Sequence, residues 1–345
     1  MGFGTTTIKR AVAAAFVATL ALTQFVAAQE VTPYEAPDNI EEIEGSIATD
    51  GSSTVGPLTA AVVESFAEVA PGIDIVVDIS GSGGGFARFC EGETVVSNAS
   101  RQIAEDEIAI CAENGYDYYQ FNVAMDGLTV VVNSENDFAD CLTVDQLNQL
   151  WAPDSTITMW SELDPEWPEE PITLYGPGPD SGTFDYFTEV INGEAGASRT
   201  DYQPSEDDNV LVQGVANDPF ALAYFGYAYY LENKGTLQAV AIDGGDGCVE
   251  PSDETVADGS YTPLTRPLFI YVRADALREE EAVQEFIRYY IANSSDLAVD
   301  VGYTARTAEQ VAQTQSDVEG AIDGSLTPTS QSGGESATPE ATPAS

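Results

Sequence analysis

The chain has 345 residues, 58 of them acidic against 11 basic, no histidine, and a formal net charge of −47. That balance excludes a nucleic-acid partner, because no basic face is available to meet a phosphate backbone. The lack of histidine also removes the commonest general base and zinc ligand. The length accommodates about two domains of roughly 150 residues each.

Lys9 and Arg10 precede an apolar run from Ala11 to Val26, and Val26-Ala27-Ala28 closes it with small residues. Residues 1–28 therefore read as a secretory signal cleaved before Gln29. The rival reading, a membrane anchor, is disfavoured because the run is short for a span of ~20 residues. No cysteine follows the run, so the expected product is exported, periplasmic or extracellular, and not lipid-anchored. Residues 29–45, acidic and containing Pro33 and Pro37, read as a linker.

From there the pattern alternates. Ser46–Thr49 is a short strand around Ile47. Pro57–Val69 places Leu58, Val62, Val63, Phe66 and Val69 on one helical face, and Pro57 suits a first turn. Ile73–Ile79 reads as a strand, and a Gly-rich loop follows it. A helix then runs through Phe86 and Phe89, with Val95–Ser97 a short strand and Glu105–Asn114 a helix. Asp126–Asn133 holds Leu128-Thr129-Val130-Val131-Val132, a fully buried strand.

The pattern then restarts. Thr143–Trp151 is a helix, Ile172–Tyr175 a strand, and Asp180-Ser181-Gly182-Thr183 opens a helix to Ile191. Asp208–Ala216 is helical, and Ala223–Tyr230 and Gln238–Ile242 read as strands. In the first of these, Tyr224, Phe225, Tyr227, Tyr229 and Tyr230 are expected in a strand core. Pro267–Val272 is a buried strand, and Glu279–Asn293 a helix with Val283, Phe286, Ile287 and Tyr290 inward. Gly324–Ser345, rich in Gly, Ser, Thr and Pro, reads as a disordered tail.

Strands alternating with helices imply an α/β fold. Two such series predict one lobe over 46–133 and 265–320 and a second over 134–264, with Asp126–Asn133 and Arg266–Arg273 as connecting strands. Four cysteines, Cys90, Cys111, Cys141 and Cys248, fit two disulfides in an exported chain. Three pairings are possible. Cys90–Cys111 within the first lobe and Cys141–Cys248 within the second is the one expected. Zinc is excluded by the lack of any C-x-x-C or histidine.

Three runs carry the chemistry: Asp50-Gly51-Ser52-Ser53-Thr54, Ser80-Gly81-Ser82-Gly83-Gly84-Gly85 and Asp180-Ser181-Gly182-Thr183. Each precedes a helical stretch. A helix N-terminus offers unpaired N–H groups and partial positive charge, glycine admits close approach, and hydroxyls add donors. Three such ends can surround one small tetrahedral anion. Taken singly, each run is equally well read as capping and turn chemistry.

The runs "DGSSTVGPLT", "SGSGGGFARFCEGETVVSNASRQI", "GPGPDSGTFDYFTEVI" and "SEDDNVLVQGVANDPFALAYFGYAYY" resemble the phosphate-binding protein of ABC-type phosphate uptake, in that family's order and over residues 45–315. The resemblance implies a two-lobed periplasmic-binding-protein fold of type II, each lobe a sheet flanked by helices, closing on inorganic phosphate and serving a membrane permease as a monomer. It implies Ser53, Thr54 and Val55 as the first ligand group and Ser82 as the second. It implies Ser181, Gly182 and Thr183 as the cradle of the other lobe. Asn98 stands where many members carry Asp; its amide offers both a donor and an acceptor, so it can still accept through its oxygen, but the charge repulsion that would reject sulfate is lost. Where some members carry an Arg before the cradle, this chain has Pro177. Arg101 is the expected replacement clamp, its rival role a pair with a nearby acid such as Glu105. Asp180 is expected to cap its helix or to supply the missing acceptor.

An enzyme is not expected, and neither is a cofactor or metal. Ser82 or Ser181 as a phosphatase nucleophile would lack a histidine base, and Ser82 is not in a G-x-S-x-G turn. The other rival is a secreted oxyanion sensor or surface adhesion protein of the same fold.

Overall fold

The structure, a computed structural model, describes residues 1–2, 31–179 and 181–329. The signal sequence, apart from its first two residues, lies outside the described residues, as do Asp180 and the tail from Ser330 onward. Among the described residues no helix is long and apolar enough to cross a membrane.

The strands are β1 Gly45–Gly51, β2 Ile73–Val77, β3 Val96–Ala99, β4 Tyr118–Asn133, β5 Cys141–Thr143, β6 Thr173–Pro177, β7 Gln203–Ser205, β8 Ala221–Gly226, β9 Leu237–Ala239, β10 Ala241–Asp243, β11 Cys248–Val249 and β12 Thr265–Arg273. The helices are α1 Gly56–Ala67, α2 Gly81–Cys90, α3 Glu105–Asn114, α4 Val144–Trp151, α5 Trp160–Leu163, α6 Gly182–Asn192, α7 Asp208–Ala216, α8 Tyr227–Asn233, α9 Asp253–Ala257, α10 Ala274–Glu279, α11 Glu281–Asp300 and α12 Ala308–Asp323.

One sheet runs in the order β2-β1-β3-β12-β4-β8-β6-β7, with β9 also on β4. β1, β2 and β3 are parallel, and so are β6, β7 and β8. The long strand β4 joins the two halves. Its residues 118–127 pair antiparallel with β12, and its residues 128–132 pair with β8. The chain thus leaves the first half along β4 and returns along β12, where Leu128 N donates to Leu264 O at 2.8 Å.

Separate cores cover the two faces of each half, as an α/β layer requires. In the first half, Leu58, Val62 and Phe66 of α1 meet Val283, Phe286, Ile287 and Tyr290 of α11, all buried. Phe66 and Phe286 stand 5.6 Å apart between ring centres. Each such side chain contributes about 1.5–3 kcal/mol on burial. On the other face Phe86 and Phe89 of α2 pack with Tyr118, Phe269 and Tyr271 beside the Cys90–Cys111 disulfide. In the second half Trp151, Phe187 and Tyr224 centre one core and Leu211, Val215 and Phe225 the other. The small sheet β11-β10-β5 is tied by Cys141–Cys248, so both expected pairings are present.

Four readings of the sequence are corrected. The stretch Ala223–Tyr230 changes type at Gly226: Tyr224 and Phe225 are buried in β8, but Tyr227, Tyr229 and Tyr230 belong to α8. Residues 31–44 are packed chain rather than a free linker, with Ile40 and Ile43 buried and Tyr34 Oη donating to Glu285 Oε2 at 2.8 Å. The helix expected at Glu279–Asn293 is two, broken where Glu280 turns extended, and α11 continues to Asp300. The supposed tail begins as ordered chain. Gly324 ends α12 with φ 81°, and Thr329 N donates to Tyr118 O at 2.9 Å.

Candidate functional site

β1 and β3 run parallel and end together, with Gly51 opposite Asn98. Ligands of open α/β sheets bind beyond such carboxyl ends. The turn after β1 is built by Ser52. Its N–H donates to Asn98 O at 2.9 Å, and its Oγ accepts from the amides of Thr54 at 3.2 Å and Val55 at 3.4 Å. Ser52 therefore shapes the turn that leads into α1, leaving Ser53 exposed and Thr54 and Val55 buried. Tyr303 Oη donates to Thr54 O at 2.5 Å and holds the turn from the far side.

Asp50 anchors the second run. Its buried carboxylate accepts from Gly51 N at 2.7 Å, Ser80 N at 3.0 Å, Ser80 Oγ at 2.9 Å and Arg88 Nη1 at 2.7 Å. Burial would push its pKa up, but the bonds from Ser80, Arg88 and Gly51 outweigh it and hold the group below the ordinary range. Gly85 lets α2 lie against β1, since a methyl there would stand 2.5 Å from Gly51 Cα. Ser82 Oγ accepts from Ser100 N at 3.2 Å.

The third run meets the first across the halves. Ser181 caps α6, its Oγ accepting from Thr183 N at 3.2 Å. A methyl on Gly182 would stand 2.9 Å from Thr54 Oγ1 and 4.0 Å from Ser53 Oγ. The α6 N-terminus of one half thus abuts the β1–α1 turn of the other, with a glycine at the point of closest approach.

Arg101 is not the cation found at this junction. Its Nη1 and Nη2 donate to the Glu107 carboxylate at 2.8 and 2.7 Å, and the guanidinium lies 5.3 Å from the centre of the Phe86 ring. Its partner is an acid in the first turn of α3, but Glu107 rather than Glu105. The cation at the junction is Arg266, which the sequence reading missed. Arg266 and Asp126 are cross-strand partners on β12 and β4. Arg266 Nε and Nη2 donate to Asp126 Oδ2 at 3.1 and 3.0 Å, and Nη2 donates to Thr54 Oγ1 at 3.1 Å. Its guanidinium lies 3.9 Å from the centre of the Tyr186 ring on α6. Both charged side chains are nearly buried, 12% and 7% exposed. Arg266 therefore touches both connecting strands, the first run and the helix of the third.

Asn98 is fully buried, and its Oδ1 accepts from Thr59 Oγ1 at 2.9 Å. Pro177 ends β6, its carbonyl accepting from Tyr202 Oη at 2.9 Å. Among the described residues no group of His, Cys, Asp and Glu could hold a metal. The arrangement offers hydroxyls, helix N-termini and one largely buried guanidinium, the donor set of an anion site.

Residues 36–294 match the profile of the PBP superfamily domain, three quarters of the chain. The chain belongs to the PBP superfamily. Within it, this PBP chain is 50% identical over 260 residues to "Protein SphX" of Synechocystis, covering 75% of this chain and 77% of that protein. It is 36% identical over 282 residues to "Phosphate-binding protein PstS" of Staphylococcus saprophyticus, covering 81% of this chain and 86% of that protein. The crystal structure of a possible phosphate binding protein from Planctomyces limnophilus is similar at a TM-score of 0.77 and 48% identity, over 81% of this chain and 99% of that one. A putative phosphate ABC transporter substrate-binding protein with bound phosphate, from Clostridium perfringens, is similar at a TM-score of 0.51 and 25% identity, over 76% of this chain and 100% of that one. The fold is the mixed α/β architecture of these PBP proteins.

Proposed function

We propose that this protein captures inorganic phosphate between its two halves and delivers it to an ABC-type permease. The reading rests on one observation above the others: Arg266, Thr54 and Gly182, from both halves and the strand between them, converge at one point. The names of its relatives agree with it. The moving parts are a first lobe of 46–133 and 265–320, to which 31–45 and 321–329 add by packing, and a second lobe of 134–264. Ser53, Thr54, Val55, Ser82 and Asn98 supply the first lobe's donors, and Ser181, Gly182 and Thr183 the second's. Arg266 takes the role expected of Arg101, because it stands at the junction of the two halves, against Thr54 and Tyr186, whereas Arg101 is paired with Glu107 within the first half.

Phosphate bridging both lobes favours the closed form, since only there does it gain all contacts. Because Asp126 already balances Arg266, the anion is held by dipoles and charge-assisted hydrogen bonds strengthened by burial. A dissociation constant of about 1 μM corresponds to about −8 kcal/mol. The protein is exported, acts in a periplasm or outside the cell without a lipid anchor, and works as a monomer.

A phosphatase role draws no support from Ser82 and Ser181, whose hydroxyls accept from the amides of Ser100 and Thr183 and have no histidine to act as base. Phosphate titration of the ligand-stripped mature protein by calorimetry tests the proposal. One-to-one binding supports it, and no heat with phosphate refutes it in favour of the sensor or adhesion reading.

A further inference from the structure

One buried donor at the end of β3 is unused within the protein. Asn98 Nδ2 has no hydrogen-bond partner among the described residues, although Asn98 is fully buried. The other side of the same amide is tied into a chain of hydroxyls. Thr59 Oγ1 donates to Asn98 Oδ1 at 2.9 Å and lies 2.9 Å from Tyr290 Oη. A threonine hydroxyl has a single proton. With that proton on Asn98, the proton between Thr59 and Tyr290 must come from Tyr290.

Arg306 favours this direction from one turn along α11, where it is bonded to Ser294. It is 5% exposed, and its partners are hydroxyls rather than carboxylates: Nη1 donates to Thr314 Oγ1 at 2.9 Å and Nη2 to Ser294 Oγ at 3.1 Å, while Nε has no partner among the described residues. Burial pushes its pKa down to about 10, and its charge acts on the Tyr290 hydroxyl. A nearby cation attracts the lone pairs of Tyr290 Oη and turns the O–H away, toward Thr59. Reversing the amide would turn Nδ2 toward Thr59 and remove Oδ1 as the acceptor that ends the chain, so one of the two hydroxyl protons, of Thr59 or of Tyr290, would lose its acceptor within the chain, an arrangement that costs about 1–3 kcal/mol.

We propose that Tyr290 and Thr59, polarised by Arg306, lock Asn98 so that it offers the bound anion two N–H donors and no acceptor. The inference rests on the phosphate-capture reading and deepens it. At this position the cleft binds a tetrahedral dianion without testing whether the ligand carries a proton. Thr59, Tyr290 and Arg306 are positioning residues for specificity, because they act through Asn98.

The test is calorimetric titration of phosphate and of sulfate into the ligand-stripped mature protein and its variants. Thr59→Val keeps the side-chain volume and frees the amide to turn Oδ1 toward the proton of hydrogen phosphate. The phosphate-to-sulfate affinity ratio should then rise about fivefold, the worth of one net hydrogen bond. Thr59→Ser should keep the parental ratio, and Thr59→Val should have no effect on it in an Asn98→Ala background. If Thr59→Val does not fold, Tyr290→Phe should move the ratio in the same direction by a smaller factor. An unchanged ratio in a folded Thr59→Val or Tyr290→Phe, or a Thr59→Val shift that persists without Asn98, overturns the relay alone. A parent protein that binds neither anion overturns the phosphate-capture reading itself.

Discussion

The Arg266 guanidinium lies 3.9 Å from the centre of the Tyr186 ring, so the cation on the strand returning from the second half is seated on the helix that carries the Ser-Gly-Thr cradle. A desolvated contact of this kind contributes up to about 2 kcal/mol. Asp126, its cross-strand partner, is nearly buried as well. Arg266→Gln should therefore lower the stability of the ligand-free protein by about 3–5 kcal/mol, because it strands a buried carboxylate. Arg266→Gln/Asp126→Asn should recover most of that loss. Urea unfolding followed by tyrosine and tryptophan fluorescence measures both, and equal losses in the single and double variants would show that the pair is not the cause.

Gly182→Ala should weaken phosphate binding at least tenfold, about 1.4 kcal/mol or more, while changing the melting temperature little. The added methyl would stand 2.9 Å from Thr54 Oγ1, which opposes closure but leaves each lobe's core intact. Small-angle scattering with saturating phosphate should show a more open variant. A variant as compact and as tight as the parent would place the junction elsewhere.

Asp208 at the start of α7 has its pKa raised to about 6 by burial, with Asp207 and Glu206 adding repulsion. A carboxyl with a higher pKa folded than unfolded binds more protons in the native state between about pH 4 and 6. Its contribution is thus favourable below that window and is lost as the pH rises through 6. Asp208→Asn should raise the melting temperature at pH 7.5 and leave it nearly unchanged at pH 4. A thermal melt at each pH decides, and an equal gain at both would rule out the titration of this group as the source.

The two disulfides close loops of different length, with sequence separations of 21 and 107 residues. In the chain-entropy account the longer loop contributes more, about 4.7 against roughly 3 kcal/mol. Replacing Cys141 and Cys248 by serine should therefore lower unfolding stability more than replacing Cys90 and Cys111. Guanidinium unfolding of the two double variants checks the order, and a reversed order would mean that local packing outweighs loop entropy here.

Much of the fold was legible because its strands and helices carry strong periods. Glu105–Asn114 and Asp208–Ala216 fall where the pattern puts them. α12 went unread because Gln, Glu and Asp dilute the face made by Val311, Ala312, Val318 and Ala321. The Tyr227–Asn233 helix was hidden by a run of aromatic residues whose β propensity points the other way. At the site, the hydroxyl and glycine runs showed themselves through local chemistry. Arg266 and Asp126 did not, since their partnership depends on the register of two strands 140 positions apart. One trace was present in the sequence: each of these residues opens one of the two stretches read as connecting strands.

The central claim is that Arg266, not Arg101, is the cation of a phosphate site. It is tested most directly by calorimetric phosphate titration of the parent protein, Arg266→Lys and Arg101→Ala. Lysine keeps the charge but loses the planar fork and the ring stacking. The account predicts one-to-one binding by the parent, at least tenfold weaker binding by Arg266→Lys, and nearly parental affinity for Arg101→Ala. Parental affinity in Arg266→Lys together with a large loss in Arg101→Ala would contradict it.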